Sequence, residues 1–245
     1  MQVATIASSF TSLVLDDGVL VLEMRDRLLN SINPKMEKPR SQRLGEPMIA
    51  SPDFVHLTPD EYLKHEAESI EKHEYRDGDV YAMAGAMDEH VTISLNLAAE
   101  LRQFLRGSGC RVYISDMKAR VESINRFFYP DVMVTCDPQD QETAAYKRFP
   151  KLIVEVLSES TEAYDSPAET LYERGDKFAD CRQLESLQEY VLVSAKRKRV
   201  ECFRRGENGL WILQGYGEVA SDRTFTLESI GFTGELATLY EDAIA

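Results

Sequence analysis

Two carboxylates stand where carboxylates are costly. In YPDVMV, Asp131 follows Pro130 at the start of a β-prone run; in LIVEVLS, Glu155 interrupts the apolar residues Leu152, Ile153, Val154, Val156 and Leu157. A charge in such surroundings is held by pairing or by a metal ion. In strand geometry Val132 and Val134 share one face, and Asp131 and Met133 the other. Two carboxylates on neighbouring central strands repel each other unless something positive sits between them. A hard cation such as Mg2+, taking one or two carboxylates and keeping several waters, relieves that repulsion. The competing reading pairs Glu155 with a buried Arg or Lys and leaves Asp131 capping a turn. The two residues together, in this arrangement, favour the metal.

The surrounding pattern supplies elements to position them. Thr58, Pro59 and Glu61 open a short helix, TPDEYLKHEAES, with a capping box. HEYRDGDVYAMAG reads as two strands turning at Asp77-Gly78. Between about Asp88 and Arg106, Val91, Leu95, Ala98, Leu101 and Leu105 recur at the helical period, and Gly107 and Gly109 stop it. CRVYISDMKARVE alternates as a strand, YPDVMVTC is a short strand, and LIVEVLS is apolar enough for a sheet centre. Ser166 and Pro167 start another helix, with Leu171, Gly175, Phe178 and Arg182 on one stripe. EYVLVS reads as a second central strand, and VECFRR and LWILQGYG as an antiparallel pair around Glu207-Asn208-Gly209. This order predicts an α/β fold: a mixed sheet flanked by helices, with an additional hairpin-rich portion. Residues 1–47 read separately. They hold a hairpin signal at Asp17-Gly18 and a polar linker, EKPRSQRLGEP, before Met48. We expect them to be a non-essential extension of a domain spanning residues 48–245.

The 43% hydrophobic and 29% charged residues fit a folded soluble chain rather than a disordered one. No apolar run approaches the roughly 20 residues that span a bilayer, and the N-terminus lacks the features of a secretory signal. The expectation is a cytoplasmic protein without membrane contact. Cys110, Cys136, Cys181 and Cys202 have no zinc spacing and are expected to be reduced thiols. The net charge of −14 counts against wholesale binding to a phosphate backbone. Bound cations and local basic patches can reverse that sign. One patch is visible: Lys196, Arg197, Lys198 and Arg199, then Arg204 and Arg205. It reads either as a hairpin edge protected by charge or as a DNA contact.

The stretches HEYRDGDVYAMAGAMDEH, YISDMKARV, YPDVMV, LIVEVLSEST and RGDKFADCRQLESLQEYVLVS, in that order between about Leu57 and Tyr240, resemble the Uma2 (DUF820) family of the PD-(D/E)XK restriction-endonuclease-like fold. The resemblance implies a Mg2+- or Mn2+-dependent endonuclease that hydrolyses DNA phosphodiester bonds with metal-activated water. Asp131 matches the Asp of the family's YPD motif and Glu155 the Glu of EVLS, the implied metal pair. Leu157 stands where the lysine of an ExK motif belongs, and the family pattern offers Lys177 of GDKF instead. Its implied role is to stabilise charge on the phosphate. Glu74 matches a family position suited to an outer metal ligand, and His90 one suited to phosphate contact or proton transfer. Asp116, in ISDMK, is a further candidate. The structural alternatives are a hairpin salt bridge for Glu74, packing or capping for His90 and a surface position for Lys177. Two departures stand out: the stretch DSPAETLYERGDKF is longer than the family pattern, and Cys181 replaces a tyrosine. The implied partner is DNA, and a homodimer would suit cleavage of both strands. A catalytically degenerate member, binding nucleic acid or a protein without cutting, is the alternative that the missing ExK lysine and the acidic charge favour.

Overall fold

The computed structural model describes residues 13–16, 19–22, 56–83, 85–157, 172–217 and 222–244. Strands β1 (Leu13–Asp16) and β2 (Val19–Leu22) form an antiparallel hairpin. Helix α1 (Pro59–Glu68) begins with the expected capping box: the Thr58 hydroxyl accepts from the Glu61 N–H, and the Glu61 carboxylate accepts from the Thr58 N–H at 2.8 Å. Strands β3 (His73–Arg76) and β4 (Asp79–Ala82) meet at Asp77 and Gly78, with φ of 46° and 102°. The positive φ of Gly78 is one that glycine adopts without a Cβ penalty.

Helix α2 (Asp88–Phe104) leads to β5 (Arg111–Ile114), β6 (Lys118–Val121), β7 (Arg126–Phe128), β8 (Val132–Thr135), β9 (Tyr146–Lys147) and β10 (Pro150–Leu157). A π-helical turn, Tyr172–Lys177, runs into α3 (Phe178–Cys181). Then come β11 (Glu189–Ser194), β12 (Val200–Arg205), β13 (Trp211–Tyr216), β14 (Thr224–Leu227), β15 (Phe232–Glu235) and α4 (Leu236–Leu239).

The main sheet has the order β1-β2-β13-β12-β11-β10-β8-β5, with β10 and β11 parallel and the other neighbours antiparallel. A second sheet, β4-β3-β7-β6-β9, and the pair β14-β15 complete the described strands. Strand alternation divides the core as the two carboxylates require. Val132, Val134, Leu152, Val154 and Val156 pack against α2, α4 and the β14-β15 pair. Met133, Ile153, Leu157 and Leu192 face α3, β6 and β7 instead. Asp131 and Glu155 have the parity of this second face.

Three expectations need correcting. The buried stripe of α2 is Ile93, Leu97, Ala98 and Leu101, whereas Val91 and Leu95 are 52% and 61% exposed. Both stripes are apolar, and the contact with the sheet decides between them. CRVYISDMKARVE is two strands in two sheets, broken where the Met117 N–H bonds back to the Ile114 carbonyl at 2.9 Å. Alternation continues on both sides of the turn and so hides it. Cys110 and Cys136 form a disulfide rather than standing as reduced thiols: pairing of Arg111 with Thr135 sets them side by side, Cα atoms 4.0 Å apart. Cys181 and Cys202 are free and buried. Strand β2 pairs with β13 through Leu22 and Trp211. The helix start expected at Ser166-Pro167 lies outside the described residues.

Candidate active site

The site is built where β8 begins and β10 ends. Antiparallel pairing of Val132 with Val154 brings Asp131 to the level of Glu155 on the adjacent strand. Asp131 Oδ2 accepts the Val156 N–H at 2.7 Å and lies 3.0 Å from His90 Nε2, in the first turn of α2. Glu155 is buried on β10, with Oε1 3.0 Å from Lys177 Nζ. The same ammonium lies 3.3 Å from Oε1 of Glu74 on β3. Lys177 is 2% exposed, which excludes the reading as a surface lysine. The longer stretch before GDKF therefore does not carry it away from the carboxylates. It closes the π-helical turn; such turns often mark functional positions.

Five of the six candidate residues thus come together: Glu74, His90, Asp131, Glu155 and Lys177. Asp116 does not join them. Its exposed carboxylate pairs with Lys72. Glu74 keeps the hairpin contact as well, lying 3.6 Å from Arg76 Nη2. Among the described residues the group sets the carboxylates of Glu74, Asp131 and Glu155 beside Lys177 and Arg76, with His90 against Asp131. A donor set of carboxylate oxygens fits Mg2+ or Mn2+ rather than a soft metal. Asp180 sits nearby, paired with Arg126; burial pushes its carboxyl up and the guanidinium opposes that shift. Burial, and then the Glu155 charge, raise the Cys181 thiol well above its ordinary range, so it packs as an inert side chain.

Other charged clusters escaped sequence reasoning. Glu66 accepts from the His73 N–H and the Tyr129 hydroxyl, each at 2.8 Å, tying α1 to β3 and to the residue before Pro130. His65, Glu66 and His73 offer ligand atoms within 4.8 Å of one another. Both Glu66 oxygens face hydrogen-bonding partners there, so the cluster already has a structural role. Glu189 pairs with Arg204 at 2.9 Å across β11 and β12, a match that an antiparallel register of EYVLVS on VECFRR would have revealed. Arg204 also donates to the Tyr216 hydroxyl and the Thr226 carbonyl, and Arg205 donates to the carbonyls of Leu187, Arg182 and Leu184. These two arginines are structural. A cleft of about 740 Å³ lined by Lys151, Ser186, Gln188 and the same arginines opens where β10 and β11 start, at the far end of the sheet from Glu155. With its arginines committed to the fold, it offers no comparable reacting group.

Residues 59–237 match the sequence profile of Uma2, described as "Putative restriction endonuclease". The chain belongs to the Uma2 family. Two uncharacterized Synechocystis proteins are similar to it. One, slr1290, is 38% identical over 190 residues, covering 78% of this chain and 94% of that protein. The other, sll1609, is 32% identical over 160 residues, covering 64% and 85%. The fold resembles the crystal structure of "a putative nuclease belonging to DUF820" from Anabaena variabilis, with a TM-score of 0.57 at 15% identity over 75% of this chain and 97% of that one. The Uma2 match covers Glu74, His90, Asp131, Glu155 and Lys177 alike and begins after the β1–β2 hairpin.

Proposed function

We propose that Asp131, Glu155 and Lys177 form the hydrolytic centre of a divalent-metal-dependent endonuclease acting on DNA. The observation that carries this reading is the buried Lys177 ammonium between Glu74 and Glu155, beside the strand that bears Asp131. Asp131 and Glu155 would hold Mg2+ or Mn2+, and Glu74 stands as an outer carboxylate. When bound, the cation supplies Lewis-acid polarisation of the phosphate and a more acidic water. The chain's own residues do the positioning. The Val156 N–H and His90 fix one oxygen of Asp131, so its carboxylate is oriented before any ligand arrives. Lys177 is held by two carboxylates at a point where it can turn one N–H toward a phosphate oxygen and offset the charge that grows there. His90, against Asp131, is placed to relay a proton between that carboxylate and water. A homodimer would present two such centres to the two strands of a duplex.

The test is nicking of supercoiled plasmid by the full chain with and without Mg2+. Cleavage should require the metal and be lost in Glu155→Gln. Metal-independent cleavage, or full activity in Glu155→Gln, would contradict the proposal. DNA binding without cleavage would support the degenerate alternative, for which the charge of −14 speaks.

A further inference from the structure

We infer that the outward face of α2 is a self-pairing surface on which a second copy of the chain docks antiparallel; only the use of that dimer, to set two centres on one duplex, rests on the nuclease reading. Helix α2 is committed on two sides. Ile93, Leu97 and Leu101 pack into the core. The Asn96 amide donates to the carbonyls of Leu239 and Glu241, at 3.2 and 2.9 Å, which ties the helix to α4 and the residues after it. The remaining side carries Val91 and Leu95, 52% and 61% exposed, and Ala99, also exposed. Spaced by one helical turn each, these three lie in a row. Asp88, in the first turn, and Arg102, in the last, extend the row at its two ends, and both are exposed. Among the described residues neither of these two charges has an ion-pair partner.

The row is symmetric about Leu95. Val91 and Ala99 stand equally far to either side of it, and so do Asp88 and Arg102. A two-fold axis through Leu95 therefore lays that residue on its own symmetry copy. It sets Val91 opposite Ala99 of the second copy, and Asp88 opposite Arg102 of the second copy. Each acidic end meets a basic end, twice per dimer, as a closed isologous pair requires. A parallel pairing would set like charges together at both ends, so the charges also fix the direction. This self-complementarity is what singles out a second copy as the occupant. Two chains of charge −14 repel at long range, but salt screens that repulsion beyond about 8 Å at physiological ionic strength, and the contacts of the seam then decide. His90 lies about 140° around the helix from Leu95 and turns to Asp131, so the pairing face is not the face that carries the site. A seam one helix wide falls among small, reversible interfaces. Its dimer is favoured where two copies share one duplex and their local concentration is high.

The experiment is sedimentation equilibrium of the full chain at physiological ionic strength, from about 1 µM to about 1 mM. It compares wild type with Leu95→Glu, Asp88→Arg, Arg102→Asp and the double variant Asp88→Arg/Arg102→Asp. Plasmid nicking in Mg2+ is followed in parallel. Wild type should move from monomer towards dimer mass as concentration rises. Leu95→Glu puts two carboxylates together on the axis and should weaken the dimer on the order of tenfold or more. Each single charge reversal should also weaken it, because symmetry repeats the repulsive contact. The double reversal restores opposite charges and should recover most of the loss. All variants should keep the circular dichroism of wild type, which separates lost association from lost folding. A wild type that stays monomeric throughout overturns the pairing face and leaves the nuclease reading intact. So does a dimer that survives Leu95→Glu, or a double reversal that associates no better than the single ones. Dimers that show the charge rescue without any nicking uphold the face and remove the nuclease reading.

Discussion

Lys177 is a buried ammonium whose charge is matched by Glu74 and Glu155. Removing one member of such a group leaves uncompensated charge in the interior, which typically costs about 3–5 kcal/mol. Lys177→Ala should therefore melt well below wild type without metal. Mg2+ should raise its midpoint more than it raises that of wild type, because the cation takes over the vacated charge. Plasmid cleavage should fall on the order of 10²–10³-fold, as for loss of one charge-stabilising donor. Lys177→Arg should recover only part of it, since a planar fork does not replace a point charge. Full cleavage by the alanine variant would return Lys177 to a structural role. The carboxylates were legible because each breaks the pattern of its strand. Lys177 was legible only through the family pattern, since nothing in GDKF itself marks burial. Sequence reasoning misses Glu66 and Glu189 because one lies in the last turn of a helix and the other starts a strand, where carboxylates usually face water. Asp116 reads from the sequence only as a further candidate on the next strand, and the turn after Ile114 carries it to the surface.

At the scale of elements, type was easier to read than facing. The capped start of α1, the Asp77-Gly78 turn and the central strands β10 and β11 stand where local chemistry puts them. The helical period identifies α2, but it puts Val91 and Leu95 on the inner stripe, where the structure has Ile93 and Leu97. Its sequence carries apolar residues on two adjoining stripes, and periodicity alone cannot say which one meets β8 and β10. The difference is measurable. Leu97→Ala, at a residue 1% exposed, should cost about 2–5 kcal/mol by opening a cavity. Leu95→Ala, at the exposed position, should stay within about 0.5 kcal/mol. Denaturant melts of the two variants decide the matter, and equal costs would contradict the facing described here. The split of β5 from β6 was hidden for a related reason: period-two alternation does not register a change of sheet.

At the scale of the whole molecule, the Uma2 match spans residues 59–237, while β2 lies on the edge of the main sheet against β13. We propose that residues 1–47 are dispensable for folding. A chain starting at Met48 should unfold cooperatively with a Tm within a few degrees of the full chain, since about 1 kcal/mol moves a domain of this size by roughly 2–4 °C. Aggregation or non-cooperative melting of the shorter chain would show that covering the β13 edge matters more than the family boundary suggests. Position along the chain cannot reveal such long-range pairing, nor the disulfide that joins Cys110 to Cys136. The central claim, that Asp131 and Glu155 share a divalent cation, is tested most directly by anomalous diffraction from Mn2+-soaked crystals of wild type and Asp131→Asn. The account predicts in wild type a peak about 2 Å from carboxylate oxygens of both residues, absent or strongly weakened in the variant. A peak at His65, Glu66 and His73 with none at Asp131 and Glu155, or an equal peak in both proteins, would contradict it.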